Sequence, residues 1–436
     1  MSTPPPPSEP AGSDPVPQLT LGDVWRFGPV RRLLLSNFVL YTGVMLQAAA
    51  LGKQAFDISG READIGFIGL AEFLPAALLV LVTGAVADRM NRRTVALFAV
   101  GGELLSSIAL AIYASTGPTS VTPLLFIAFG YGIARAFQAP SMRSMPPMVA
   151  PEHGLPRVIA LFSATWTTAI IIGPAISGFL YAVDPWVAYA GSSTLILLGW
   201  LGLWRIRFVR EPEPPDPTQR PTLHHALEGL RFIRRTPILL AAISLDLFAV
   251  LFGGAVALLP VIAEERLGVG DVAYGWLRAA PGIGAAAMAV AVALRPVRRH
   301  VGVVLLVVVG VFGAGTVILG VTRSYLVAFV VLMVISAADM VSVFIRGSLV
   351  PLVTPDEKRG RVLAVENVFI GASNELGAFE SGVVAQAFGT PFAIVGGGVG
   401  TLLVVAVWST AFPSLRRIDR FEDLEHPATP AITAAG

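Results

Sequence analysis

The stretch Gly84-Ala-Val-Ala-Asp-Arg-Met-Asn-Arg-Arg93 separates two long apolar segments of the chain. The segment before it begins at residue 65 and has Glu72 as its single formal charge, and the segment after it begins at Thr94 and is interrupted by Glu103. Clustered arginines mark the cytoplasmic ends of membrane helices. The stretch therefore predicts a tight cytoplasmic turn between two membrane helices.

The small and charged residues of this turn have predicted roles in gating. Gly84 lets the backbones of neighbouring helices approach closely, and Asp88 can face the positive end of a helix dipole. The three arginines are within reach of carboxylates and lipid phosphates. We predict that Asp88 helps to hold the cytoplasmic side shut by contacting the start of a later helix near residues 361–362. The predicted gating motif consists of Gly84, Asp88, Arg89, Arg92 and Arg93.

Composition places the whole chain in a membrane. Of its 436 residues, 54% are hydrophobic and only 14% are charged, and the mean hydropathy is +0.72. Soluble domains are typically about 25% charged. The absence of cysteine excludes disulfides and thiolate metal sites. The net charge of +2 is explained by basic loops, so it does not indicate a nucleic-acid partner.

Twelve apolar runs are long enough for membrane helices, six on each side of a polar interval. They lie near 33–56, 64–87, 94–114, 123–145, 157–182, 185–206, 237–263, 272–294, 301–320, 325–350, 362–387 and 391–412. The predicted organisation is a disordered cytoplasmic tail (1–25), a six-helix bundle (26–206), a cytoplasmic loop with an amphipathic helix (207–236), a second six-helix bundle (237–412) and a cytoplasmic C-terminal tail (413–436).

The distribution of arginine predicts the orientation. If both termini are cytoplasmic, the outer loops hold only Lys53, Arg61, Arg266 and Arg323, and the clustered arginines all lie on the cytoplasmic side. The basic loop at residues 295–300 occupies the place in the second half that the turn before Arg93 occupies in the first, as expected of an internal repeat. We expect a multi-pass protein of a bacterial plasma membrane.

Ionisable residues inside membrane spans are costly and mark a transport pathway or a structural pair. Arg135 cannot lose its proton, but it can release the proton of a carboxylate that it approaches in one conformation. Asp339 and Arg346 share a helix face, and their spacing favours pairing through a neighbour. We rank Glu103 and Asp339 first as proton carriers and Glu72 next. The full set of proton-coupling candidates is Glu103, Asp339, Glu72, Arg135, Asp246, Glu366, Glu375 and Glu380.

Several motifs resemble those of the major facilitator superfamily. The pattern Gly-x-x-x-Asp-Arg-x-x-Arg-Arg ending at Arg93 resembles the signature loop between its second and third spans, although Asn91 stands where the family often has glycine. The run Arg135-Ala-Phe-Gln138 resembles an Arg-x-x-Gln-Gly element. Gly173-Pro-Ala-Ile-Ser-Gly178 resembles a motif of antiporters, and its Gly173, Pro174 and Gly178 predict either an antiporter kink or plain close packing.

The second half resembles the branch that contains enterobactin exporters and macrolide efflux pumps, most clearly over 346–382 and 225–235. The resemblance implies an all-α membrane protein with twelve helices in two six-helix bundles around a central cavity. It also implies proton-driven export of an amphiphilic small molecule, a siderophore or a drug-like compound. A facilitator or importer and a lipid-handling or sensory membrane protein are the alternatives.

Catalysis is not expected. Gly52-Lys53 lacks the surrounding residues of a phosphate-binding loop, and the five histidines are scattered, so neither a catalytic residue nor a metal site is predicted. The expected partners are the small-molecule substrate and the lipid bilayer, and the chain is expected to act as a monomer. No cofactor is expected, because the proton gradient would supply the energy.

Overall fold

The computed structural model describes residues 20–206, 208–209 and 223–425, with the side chains of 80–82, 84–85, 87–89, 223–226 and 425 left out. Every regular element within these ranges is helical. The twelve long helices are α1 (Gly28–Ser59), α2 (Glu62–Arg89), α3 (Arg92–Ser115), α4 (Thr122–Arg143), α5 (Leu155–Tyr181), α6 (Pro185–Trp204), α7 (Pro237–Phe252), α8 (Asp271–Leu294), α9 (Val301–Val321), α10 (Tyr325–Val353), α11 (Asp356–Phe388) and α12 (Thr390–Ala411).

The long helices have the length and composition of membrane spans. Nine helical segments of the described chain are long and apolar enough to cross a bilayer, among them Pro237–Arg266, in which α7 continues through short helical turns. The three long helices outside that set are α2, α4 and α11, which carry Glu72, Arg135 and Glu375. The predicted all-α membrane fold with twelve long helices is confirmed.

The helices pack as two groups of six. In the first half, α1 packs against α5 and α6, and α4 packs against α2 and α3. In the second half, α10 packs against α8 and α9, and α7 packs against α11 and α12. The two halves meet mainly through two helix pairs, α2 with α11 and α5 with α8. A cavity remains between the halves, enclosed by helices of both.

The buried apolar residues distinguish the two ends of this bundle. We call the end with the loops after α2 and α8 the arginine-rich end and the opposite end the Lys53 end. At the arginine-rich end each half has its own apolar cluster, one around Leu33 and Met142 and one around Leu239 and Ile345. At the Lys53 end the first half has a cluster of its own around Tyr189, and a further cluster combines Phe56 and Ile65 of the first half with residues of the second half.

Two local features explain where helices begin and end. Asn91 caps α3, because its side-chain oxygen accepts hydrogen bonds from the backbone N–H groups of Arg93 at 3.0 Å and Thr94 at 3.4 Å. Asparagine at this position of the turn therefore supplies a cap that glycine cannot supply. The apolar run predicted to continue to residue 263 is broken after Phe252, where Gly254 approaches the carbonyl oxygen of Gly377 so closely that any side chain would overlap it.

The polar interval between the halves contains the predicted helix. It spans Leu223–Arg235 and packs against α11. Ile233 is buried and Leu230 packs against the apolar cluster of the second half, whereas Leu227 is exposed. Glu228 forms an ion pair with Arg361, which connects this helix of the polar interval to the first turns of α11.

Candidate transport site

The cavity between the two halves has a volume of about 270 Å³ and a mixed polar and aromatic lining. Helices α1 to α5 of the first half contribute to it, as do α8 and α11 of the second half. Its ionisable and aromatic residues are Tyr41, Glu72, Glu103, Tyr131, Arg135, Trp166, Tyr274, Arg278 and Glu375. Four of the predicted proton-coupling residues, Glu72, Glu103, Arg135 and Glu375, are therefore brought together in one place.

Glu72 and Arg135 form an ion pair in this cavity. Arg135 Nη1 lies 3.5 Å from Glu72 Oε2. The pair forms because α4 crosses α2 closely at Gly132, where an added Cβ would overlap the carbonyl oxygen of Glu72. Arg135, almost one turn further along α4, is then beside the carboxylate. The Arg135 side chain remains half exposed to the cavity, so it can separate from Glu72 without leaving the site.

Glu103 differs from Glu72 because it has no counter-ion in the described part of the chain. It is 1% exposed, and its Oε2 atom accepts no hydrogen bond from a described residue. Gln138 is 2% exposed, and its Nε2 atom likewise finds no acceptor there. The cavity lining therefore contains a buried acceptor and a buried donor, both without a partner among the described residues. Such groups favour a ligand, water or proton that satisfies them.

An aromatic pair lies beside these polar groups. The rings of Tyr41 and Trp166 meet edge to face with their centroids 4.5 Å apart. The hydroxyl of Tyr41 donates a hydrogen bond to Oε1 of Gln138 at 3.5 Å, which orients the amide so that its nitrogen stays available. The sequence did not predict Tyr41 or Trp166 as cavity residues, because single aromatic residues in an apolar helix carry no periodic signal. It also did not predict that Gln138 lines the cavity.

Arg278 and Glu375 line the cavity from the second half. Nη1 of Arg278 donates a hydrogen bond of 2.8 Å to the carbonyl oxygen of Val256, which lies in the segment where α7 is interrupted. A backbone carbonyl released by a broken helix needs such a donor inside a membrane. Glu375 lies close to α2, since a Cβ added at Gly69 would be 3.1 Å from its Oε2 atom. The partner of Arg278 is a backbone carbonyl, and no side-chain pattern in the sequence indicates such a partner.

The remaining predicted carboxylates lie elsewhere in the second half. Arg346 forms ion pairs with Asp246 at 2.7 Å and with Glu366 at 3.9 Å, and all three residues are buried. Arg346 therefore pairs with carboxylates on other helices and not with Asp339 on its own helix. Asp339 on α10 and Glu380 on α11 do not line the cavity, and neither forms an ion pair with a described residue.

The predicted gating motif is only partly visible. The side chains of Gly84, Asp88 and Arg89 lie outside the described residues. Arg93 donates a hydrogen bond to the carbonyl oxygen of Trp204, and its guanidinium lies 6.0 Å from the ring centre of Phe208. Arg93 therefore ties the start of α3 to the end of α6 within one half. Arg92 is half-buried, and the predicted contact of Asp88 near 361–362 stays a prediction.

The antiporter-like motif of α5 makes close helix contacts on both of its sides. A Cβ added at Gly173 would lie 2.8 Å from the carbonyl oxygen of Thr42 in α1. A Cβ added at Gly178 would lie 2.6 Å from the carbonyl oxygen of Asp271 in α8. Helix α5 continues through Pro174 without interruption. The two glycines thus allow α5 to join the first half to the second at the Lys53 end.

A cluster of charges that sequence reasoning missed lies at this end. Lys53 was expected in an outer loop, but it lies in α1 and is only 7% exposed. Its Nζ atom pairs with Asp57 in its own helix, with Glu264 at 3.0 Å and with Asp271 at 3.6 Å, the last two from the second half. The hydroxyl of Tyr181 donates to Asp57 at 2.7 Å. In the sequence, this buried cluster is indicated by the i, i+4 spacing of Lys53 and Asp57 within an apolar run.

No group of three potential ligands that could hold a metal ion occurs among the residues covered by the structure. The arrangement instead offers a cavity between two helical halves, lined by one ion pair and by two residues with unpaired buried polar atoms. These features suit reversible binding of a small molecule or proton.

Comparison with known proteins agrees with this arrangement. The sequence profile of a family described as transmembrane secretion effector matches residues 26–432. The chain is 24% identical to the multidrug efflux pump Tap of Mycolicibacterium fortuitum, over 90% of this chain and 97% of the pump. It is also 24% identical to the enterobactin exporter EntS of Escherichia coli, over 93% of this chain and 95% of the exporter. Identity to macrolide efflux protein A of Streptococcus pyogenes is 24%, over 52% of this chain and 56% of that protein.

Solved structures are similar in fold. A bacterial homologue of the human lysosomal transporter Spinster, inward-facing and occupied, superposes with a TM-score of 0.69 at 16% identity, over 92% of this chain and 98% of that chain. A D-xylose–proton symporter superposes with a TM-score of 0.66 at 15% identity, over 88% of this chain and 98% of that chain. At these identities the similarity concerns the fold alone.

Proposed function

Since the chain belongs to the transmembrane secretion effector family of the major facilitator superfamily, it is a membrane transporter and not an enzyme, and we propose that it exports an amphiphilic small molecule in exchange for protons. The predicted resemblance to efflux pumps and enterobactin exporters is confirmed. The proposed location is a bacterial plasma membrane with both termini in the cytoplasm, and the proposed functional unit is a monomer.

Alternating access is supported by the unequal ends of the central cavity. At the Lys53 end, one apolar cluster and the Lys53 ion pairs join the two halves. At the arginine-rich end, the apolar clusters of the two halves are separate. If that end faces the cytoplasm, as the distribution of arginine favours, the described apolar cores of the two halves are less closely joined on the cytoplasmic side. Export then requires the Lys53 end to open and the arginine-rich end to close.

The cavity lining supports an amphiphilic substrate. Tyr41 and Trp166 offer aromatic surface to an apolar body. The unpaired atoms of Glu103 and Gln138 offer one acceptor and one donor to a polar group of the substrate. Siderophores and drug-like compounds both combine these two properties, and the names of the relatives include exporters of each kind.

Proton coupling is assigned most directly to Glu103, with the Glu72–Arg135 pair next to it. A coupling carboxylate must bind a proton in one conformation and release it in the other. Among the described residues Glu103 has no ion-pair partner that would keep it permanently charged, and Arg135 lies in the same cavity. Asp339 remains the corresponding candidate in the second half. Asp246 and Glu366, by contrast, are engaged by Arg346 and suit a structural role.

Transport in inside-out vesicles with an imposed proton gradient tests this function. We expect Glu103→Gln to abolish accumulation driven by the gradient while leaving downhill exchange of the substrate intact. Glu152→Gln, the same chemical change in an exposed loop, is the matched control and should behave like the unaltered protein. Proton-driven accumulation that survives in Glu103→Gln would remove Glu103 as the carrier, and Asp339→Asn and Glu72→Gln would then be compared.

A facilitator or importer is the second candidate, because a proton symporter is among the proteins that share the fold. The same vesicles separate the two functions. Flux that follows only the substrate gradient indicates a facilitator, and accumulation that follows the direction of proton flow indicates a symporter. An exporter accumulates substrate inside inverted vesicles only when protons leave them. A protein that moves lipid instead of solute would show no substrate flux under any of these conditions.

A further inference from the structure

A second cavity of about 240 Å³ lies between α1 and α6 at the arginine-rich end, away from the transport site. Two arginines, Arg32 near the start of α1 and Arg205 directly after α6, contribute to its lining. Its apolar wall is formed by Leu35, Val39 and Leu198. We call this cavity the α1–α6 cleft.

A close helix crossing forms the α1–α6 cleft. A Cβ added at Gly202 in α6 would overlap the side-chain oxygen of Ser36 in α1, so the two helices touch at this point. The crossing brings their ends together, and Nη1 of Arg32 donates a hydrogen bond of 3.4 Å to the carbonyl oxygen of Arg205. The positions of both arginines therefore depend on the packing of α1 against α6.

The two arginines of the cleft lack a counter-charge. Neither Arg32 nor Arg205 forms an ion pair with any carboxylate in the ranges that the structure describes. Both side chains are exposed, and the guanidinium group matches the geometry of phosphate oxygens in two-pronged hydrogen bonding. The cleft therefore carries two uncompensated positive charges that suit one anionic group.

The surroundings of the cleft indicate where that anionic group comes from. Leu35 and Leu198 are 47% and 53% exposed, although they lie in helices that span the membrane. Such side chains face lipid tails. Trp204, 56% exposed at the end of α6, is typical of residues at the level of the lipid headgroups. The arginines thus lie at headgroup depth, and the apolar wall extends from them toward the hydrocarbon core.

We propose that the α1–α6 cleft binds one anionic phospholipid of the surrounding bilayer. Its phosphate group contacts Arg32 and Arg205, and an acyl chain lies along Leu35, Val39 and Leu198. Basic pockets between membrane helices suit anionic lipid headgroups. A free phosphate ion would use the arginines but would leave the apolar wall uncovered.

Native mass spectrometry of the full chain in detergent tests the proposal. The probes are dioleoyl phosphatidylglycerol, which is anionic, dioleoyl phosphatidylcholine, which is zwitterionic, and inorganic phosphate. We expect one tightly bound phosphatidylglycerol, and its affinity should fall by roughly fivefold for each arginine removed in R32Q/R205Q. The control R31Q/R295Q removes two exposed arginines of the same end that do not line the cleft, and it should keep the original affinity.

Two further variants separate binding from folding and lipid from phosphate. Leu198→Trp fills the cleft without changing charge and should also release the lipid. R32K/R205K keeps the charges but loses the two-pronged hydrogen bonds, so its affinity should lie between those of the unaltered protein and R32Q/R205Q. Equal loss of affinity in R31Q/R295Q and R32Q/R205Q would overturn the proposal, because the attraction would then be general to the basic end. Binding of inorganic phosphate as tight as that of phosphatidylglycerol, or no preference over phosphatidylcholine, would overturn it as well.

Discussion

The two ends of the helix bundle are held together in different ways. At the Lys53 end, ion pairs and apolar contacts cross between the halves: Lys53 reaches Glu264 and Asp271, and Phe56 and Ile65 share a cluster with the second half. At the arginine-rich end, the charged contacts between described residues stay within one half or reach its adjoining segments. Arg93 binds the end of α6, and Arg361 binds Glu228.

This difference separates contacts that must break during transport from contacts that must survive it. An inter-half ion pair costs little to open if water reaches both partners as they separate, whereas intra-half contacts keep each bundle rigid as it moves. We therefore expect substitutions at the Lys53 end to change the distribution of conformers. Substitutions at the described contacts of the arginine-rich end, which stay within one half, should change local stability instead.

The largest effect is expected for Lys53→Met. Removal of the lysine leaves Asp57, Glu264 and Asp271 facing one another, and removing one partner of a buried pair costs about 3–5 kcal/mol. Because Glu264 is half exposed, about 2 kcal/mol is the reasonable figure here. The conformation in which the Lys53 end is closed should therefore lose most of its preference over the conformation in which that end is open. The chain has no cysteine, so spin labels on Thr119→Cys and Ser324→Cys, exposed loop positions of opposite halves, can report the distance across this end.

Lys358→Met is the matched control for Lys53→Met. Lys358 lies at the other end of the molecule, with its Nζ atom 4.9 Å from the ring centre of Phe232. Lys358→Met should leave the distance between the two spin labels unchanged. An equal widening in both variants, or none in Lys53→Met, would contradict the distinction between the two ends.

A smaller effect is expected for Gly178→Ala. The added Cβ would lie 2.9 Å from Cα of Gly275, so α5 and α8 must separate at the Lys53 end. Overpacking of this kind costs about 1–3 kcal/mol. The same label pair should report widening, and thermal unfolding in detergent should show reduced stability. Gly130→Ala, at a position with no neighbouring atom within 4 Å, should instead be neutral or stabilising, because alanine favours helix.

Asp88→Asn tests the predicted closure of the opposite end. Loss of a carboxylate that faces a helix N-terminus costs about 0.3–1 kcal/mol, a two- to fivefold change in the conformer ratio. We expect a larger population of the inward-open state, measured as a longer distance between labels on Glu152→Cys and Arg298→Cys. Asp356→Asn removes a carboxylate of the same end that pairs with Arg359 on its own helix. Asp356→Asn should not change the distance between the labels. An unchanged conformer ratio in Asp88→Asn would argue against the predicted role of the gating motif.

The smallest effect is expected at Asp419, which lies after α12 and holds the C-terminal segment against the start of α9. The backbone N–H of His300 donates to its carboxylate at 2.9 Å, and this bond together with Arg299 lowers the pKa of Asp419. Because the pKa of Asp419 is lower in the folded protein than in the unfolded chain, the contact stabilises the fold fully above the unfolded pKa of about 4. This stabilisation is lost as pH falls through the folded pKa.

Hydrogen exchange measures this local effect. The amides of residues 301–302, which donate to the carbonyl oxygens of Asp419 and Ile418, should exchange faster in Asp419→Asn at neutral pH and in the unaltered protein at acid pH. The label distances at both ends should not change. A change in those distances would mean that the C-terminal segment contributes to gating, which the intra-half location of the contact does not predict.

The features that sequence determined are those that depend on neighbours along the chain. Span number, the boundary between the halves and the position of the basic turns follow from hydropathy and arginine spacing, because each helix must satisfy the bilayer individually. The intramembrane charges could be identified for the same reason, and four of the predicted coupling residues do meet in the cavity.

Tertiary structure alone decided which of these charges are free and which are paired. Arg346 binds Asp246 and Glu366, and Lys53 lies in a buried cluster instead of its expected loop. Glu103 forms no ion pair with a described residue. These partners are set by close helix crossings such as that of Gly132 on Glu72, which bring together residues distant in sequence. Hydropathy is the same for a paired and an unpaired carboxylate in an apolar helix. The distinction therefore arises only when the helices pack.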